Sequence, residues 1–94
     1  MFKILAKAKP HKKNELYKEV TKADVEFFID YKDFGGAIVL ASFYLEEQNW
    51  ILTNFNDEYW EIETENDVPK NHKQFYREAK EFGYCIIYNA YKNN

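Results

Sequence analysis

Between Asn71 and Tyr91 the chain changes its repeat once, at Gly83, and that change narrows the folds open to it. Phe75, Ala79 and Phe82 recur at helical spacing, with Asn71 placed as N-cap and Gln74 three residues on as a capping-box variant. Gly83 then supplies the C-terminal stop. The next residues, Tyr84-Cys85-Ile86-Ile87-Tyr88-Asn89-Ala90-Tyr91, are rich in β-formers and read as a strand. A one-sided helix followed at once by a strand needs a sheet to pack on, so the class is α+β.

The rest of the chain is read in the same way. Phe2–Ala8 alternates as a first strand that Pro10 ends. Asn14 is placed to cap a short helix carrying Leu16, Val20 and Ala23 on one face. Residues 25–32 are β-rich, and Gly35-Gly36 follows as a turn. Ala37–Leu45 reads as a strand buried on both faces. A polar turn over 46–49 leads to a strand at 50–55. Residues 58–64 alternate again, with Glu58, Trp60, Ile62 and Thr64 on one side and Tyr59, Glu61 and Glu63 on the other. A helix over 56–66 is the competing reading of that segment. The expected architecture is one α+β domain over 1–94, a largely antiparallel sheet of five to six strands with two helices on one face. Its order is β-α-β-β-β-β-α-β. Ninety-four residues are too few for two independent cores, and 46% hydrophobic residues exclude a disordered chain.

Chemistry is constrained mainly by what is missing. Cys85 is the single cysteine, which rules out an internal disulfide framework and a four-thiolate zinc site. It lies beside Ile86-Ile87 in a core-type strand and reads as a small hydrophobe. Ser42, the only serine, sits in an apolar run. His11 and His72 each lie among lysines, where a two-histidine ribonuclease site is conceivable but surface imidazole is the simpler reading. Asp30-Tyr31-Lys32 matches half of a metal-dependent nuclease signature, and three glycines cannot build a phosphate loop. No enzymatic activity, cofactor or metal is therefore expected. With lysines breaking the N-terminal apolar stretch no secretory signal is expected, the longest apolar run, Ala37-Ile38-Val39-Leu40-Ala41, is too short to span a membrane, and the cytoplasm is the expected compartment.

Charge is segregated along the chain. Residues 1–22 hold seven lysines against Glu15 and Glu19, a net of +5. Residues 23–68 hold twelve acids against Lys32, a net of −11, and residues 69–94 return +3. Aromatics are interleaved with those acids at Phe43-Tyr44-Leu45-Glu46-Glu47 and at Asp57-Glu58-Tyr59-Trp60-Glu61, with Glu63 and Glu65 close behind. An acidic surface carrying aromatic anchors suits a basic protein partner, and nucleic acid is disfavoured beside it. Phe27, Phe28, Phe43, Phe75 and Phe82 are assigned to packing. Trp50 and Trp60 go to the core edge, and Tyr59 to the surface.

The run Gln74-Phe75-Tyr76-Arg77-Glu78-Ala79-Lys80-Glu81-Phe82-Gly83-Tyr84-Cys85-Ile86-Ile87 resembles the last helix and strand of barstar-type ribonuclease inhibitors. Asp57-Glu58-Tyr59-Trp60-Glu61 is similar to an acidic run on that family's inhibitory helix. The resemblance implies an inhibitor of a nuclease, with Asp57, Glu61 and Glu78 in contact with the enzyme. The expected function is accordingly a non-enzymatic immunity protein or antitoxin that blocks a bacterial nuclease toxin. The alternatives are an anti-CRISPR-type inhibitor of a defence nuclease and a nucleic-acid-binding module using the N-terminal lysines. The opposed charge blocks also allow a homodimer.

Overall fold

The computed structural model describes residues 1–92. Four strands, β1 (Phe2–Pro10), β2 (Val20–Ile29), β3 (Trp50–Glu61) and β4 (Tyr84–Lys92), form one sheet in the order β3-β1-β2-β4. Every neighbouring pair is antiparallel. Helix α1 (Phe34–Glu47) joins β2 to β3, and α2 (Lys73–Phe82) precedes β4. The α+β class holds, with four strands rather than five to six. The order becomes β-β-α-β-α-β.

The difference begins at Ala37–Leu45, which is helix and not strand. The run is apolar all round, so its pattern carries no period. Its start is decided by Asp33, whose carboxylate accepts the Gly36 N–H at 2.8 Å. Gly35 and Gly36 therefore lie inside the first turn of α1 rather than in a loop. Helix α1 starts close against Tyr31, and a Cβ on Gly36 would stand 2.1 Å from a carbon of that ring, which would have to shift. Ala37, Ala41 and Leu45 recur on one side of α1 and are fully buried on the sheet.

The expected helix after Asn14 is absent. Residues 11–19 form a loop of successive turns, in which the Asn14 side chain accepts the Leu16 N–H and donates to the Asn49 carbonyl. Asparagine here closes an Asx-type turn instead of starting a helix. The strands expected at 50–55 and 58–64 are one continuous β3, and residues 65–67 form a single 3-10 turn, so no helix covers 56–66. Helix α2 and its Gly83 stop stand as expected, with Gly83 at φ +92°. Its N-cap position is His72 rather than Asn71.

The helices lie on opposite faces of the sheet, not on one. Phe2, Ile4, Ala6 and Ala8 of β1 and Val25, Phe27 and Ile29 of β2 share one face with the buried side of α1. Phe28, one residue out of step, packs on the other face with Ala79 of α2, Cys85, Ile62 and Val68. Helix α2 covers only the end of that face near Lys3, leaving its other end open.

Strand β3 stays in step with the first core by bulging twice. Thr53 has no partner between the Lys7–Asn54 and Ala8–Leu52 pairs. Residues 56–58 stand opposite Leu5 alone, between the Ala6–Phe55 and Ile4–Tyr59 pairs. The first bulge brings Phe55 beneath α1 in place of Asn54. The second brings Tyr59 opposite Ile4 in place of Asp57, so the acids stay off the core.

Candidate partner-binding surface

Antiparallel pairing sorts the charges to opposite ends of the sheet. Phe2 pairs with Ile29 and Glu61 at one end; Pro10 pairs with Trp50 at the other. At about 3.3 Å per residue, Lys3 and Pro10 are roughly 23 Å apart along β1. Glu61 and Glu63 lie at the first end, with Asp57 and Glu58 opposite Leu5 on the same half of the sheet. Lys9, His11, Lys12 and Lys13 collect at the second.

At the acidic end, Tyr59 and Trp60 are 48% and 44% exposed and point to opposite faces. Tyr59 stacks on Phe34 of α1, ring centroids 3.9 Å apart, and also meets Phe2. Trp60 lies on the other face with the Lys3 ammonium 5.1 Å from its ring centroid. Each aromatic is thus held from behind while part of it remains open. Asp57, Glu58, Glu61 and Glu63 are exposed, and among the described residues none enters an ion pair. Asp57 and Glu58 lie within the wide bulge of β3. Beyond β3, the Asp67 carboxylate accepts the N–H groups of Glu63 and Thr64, both at 3.0 Å, and so fixes the Glu63 backbone.

Four of the acids expected at this surface are occupied or displaced. Glu65 is paired with Arg77, whose guanidinium holds the carboxyl below its usual range. Glu78 accepts a hydrogen bond from the Cys85 thiol at 3.2 Å. Burial first, and then this carboxylate, push the thiol up to about 12. Glu46 and Glu47 end α1 at the basic end of the sheet, where Glu46 shares a hollow with His11, Lys13 and Trp50. The expected surface is therefore not continuous. Its compact part is Asp57, Glu58, Tyr59, Trp60, Glu61 and Glu63.

Several side chains differ from their assigned roles. Trp50 is buried and stacks on Tyr88, whereas Phe43 and Phe82, assigned to packing, are 53% and 66% exposed. Ser42 lies in α1, where its hydroxyl donates to the Ile38 carbonyl. Lys3, Phe34 and Asp67 shape the site and were not singled out by sequence. The spacing Thr64-x-x-Asp67 is the one available signal among them, since it marks a chain turn.

The geometry also bears on the chemical alternatives. His11 lies in the loop at the basic end, and His72 sits against Phe28 and Phe75 near the acidic end. The two imidazoles do not meet, so a paired-histidine site is not assembled. Asp30-Tyr31-Lys32 lies past the end of β2, with Asp30 3.4 Å from the Lys80 ammonium. Among the described residues no group of three or more His, Cys, Asp or Glu is arranged to hold a metal ion, and no helix is long and apolar enough to cross a membrane. Comparison with family models, curated proteins and solved structures finds no match for this chain.

Proposed function

We propose that the chain is a non-enzymatic binding protein whose acidic end docks on a basic protein and blocks it. A nuclease, acting as a toxin, is the partner class. One observation carries the reading: two half-exposed, buttressed aromatics stand among four acids that enter no ion pair among the described residues. Rigid aromatics give contact area at low entropic cost. Unpaired carboxylates steer a cationic partner and lose little hydration until it arrives. A nuclease active site is cationic because it must hold phosphates. The likeness of residues 74–87 to barstar-type inhibitors supports the same partner class. The partner engages side chains of the β3 end and not an added strand, because the bulges break the spacing of the β3 edge.

The test is capture from the native host on tagged protein, with Glu58→Lys/Glu61→Lys as the paired bait. A basic nuclease should be retained by the wild type and lost with the double variant. Its retention should also fall at least about tenfold when salt rises from about 0.1 to 0.5 M, as screening shortens the reach of the charges. Identical captures by both baits, or a wild-type capture indifferent to salt, would refute the proposal. Both substitutions are at exposed positions, and circular dichroism checks that the variant is folded.

A further inference from the structure

The basic end holds a cleft of about 770 Å³ beneath the 11–19 loop. Pro10, Val20 and Ile51 form its apolar floor, and Lys9, Lys12, Lys18 and Tyr17 line it. Lys9 and Lys12 enter no ion pair among the described residues. Glu15 and Glu19, the acids of the loop, are not part of the lining. The Lys13 N–H donates to Nδ1 of His11 at 3.1 Å. That bond leaves the proton of a neutral His11 on Nε2, as a further donor at the cleft.

Two features together define the ligand. The cations call for an anion. The apolar part calls for more than a hydrated ion: Tyr17 is 45% exposed and Ile51 38% exposed, both beside lysines. The volume falls within the roughly 300–1,000 Å³ of small-ligand sites, far beyond one phosphate. We propose that this cleft binds a nucleotide, free or within a single strand. Its phosphate meets Lys9, Lys12 and Lys18, and its base lies against Tyr17 and Ile51. Lysines beside an aromatic ring are the usual means of holding single strands, because every base has a face to stack. The acids of β3 do not forbid this. Glu61 and Glu63 lie at the far end of the sheet, roughly 23 Å from Lys9 along β1, and Asp57 and Glu58, opposite Leu5, stand roughly 13 Å from it, in each case beyond one Debye length of about 8 Å at physiological salt. Glu46 is nearer, but it lines the neighbouring hollow with Lys13 rather than this cleft. The site is independent of the acidic docking surface and gives a defined place to the alternative, kept from the sequence, of nucleic-acid binding by the N-terminal lysines.

The experiment is fluorescence polarisation of an end-labelled oligothymidylate of about twelve nucleotides, at about 50 mM salt where electrostatic binding is strong. Thymidine monophosphate and inorganic phosphate serve as competitors. Binding should weaken at least tenfold, roughly, in Lys9→Glu/Lys12→Glu, with the salt slope reduced by about 0.7 per lysine removed. Tyr17→Ala should weaken it about fivefold or more at an unchanged salt slope, the mark of lost stacking. Lys70→Glu, an exposed site on the α2 side, should change little. Affinity that climbs with oligonucleotide length identifies a strand as the ligand. Equal affinity for the monophosphate identifies a free nucleotide, and either result upholds the site. Absence of binding overturns it. So does inorganic phosphate competing as well as the monophosphate, or an equal loss in Lys70→Glu, which would mean diffuse charge rather than a cleft.

Discussion

Phe27 and Phe28 are adjacent, fully buried, and belong to different cores. Phe27 is one of thirteen buried residues that run from Phe2 to Trp50 under α1. Phe28 is one of five, under α2, at one end of the opposite face. One face is sealed along its length, and the other is patched. The sealed face holds the fold. The patched face leaves Lys7, Lys9 and Lys22 at the surface and lets the sheet's polar end stay open. Unequal cover, more than residue type, determines which side chains can meet a partner.

The largest expected effect tests the sealed face. Phe27→Ala should cost about 4 kcal/mol in urea denaturation, since its cavity lies among neighbours from all four strands and α1. Phe28→Ala should cost less, about 3 kcal/mol, because a five-residue cluster collapses more readily around the gap. Its mark is local: amide exchange should quicken across residues 73–82 and stay slow across 34–47. Equal quickening in both helices would erase the distinction between the faces.

Smaller effects sharpen it. The Cys85 thiol is raised by burial to about 12 from its ordinary value of 9.0. Its contribution to stability is complete below about pH 9 and is lost as pH rises toward 12, because the unfolded chain releases the proton first. Denaturation at stepped pH should show that decline in the wild type and a shallower one in Cys85→Ala. In Gly36→Ala the new methyl displaces the Tyr31 ring, which is 39% exposed and free to swing outward. Alanine's better helix propensity, about 1 kcal/mol, offsets that displacement, so the melting midpoint should hardly move. Smallest is Arg77→Ala. The Glu65 carboxyl should return upward to the ordinary range in an NMR titration, with thermal stability almost unchanged because both side chains meet solvent.

How far the sequence could be read follows from these contrasts. Helix α2 and β4 were legible because Phe75 and Ala79 carry a period and Gly83 carries a backbone requirement. Strand β1 was legible because its alternation separates a buried face from lysines. Helix α1 was not, because apolar side chains surround it and leave no face to detect. Asp33, three residues ahead of Gly36, was the overlooked signal. The bulges in β3 were equally hidden. They depend on which β1 residue each position meets, and a single strand's pattern does not contain that. For the candidate surface, exposure was legible at Tyr59 and at Asp57, Glu58, Glu61 and Glu63. Its continuity was not, because Glu46 and Glu47 are near in sequence but lie at the far end of α1.

Strand β3 is long, and one of its sides is unpaired in the sheet. An uninterrupted edge of that length is where copies of a protein add to one another and eventually form fibres. Here regular pairing covers only 50–52, 54–55 and 59–61, each shorter than the six or seven residues that stacked fibrils require. The irregularities that keep Asp57 away from the core therefore also deny this edge of the sheet a run long enough for another copy to add to.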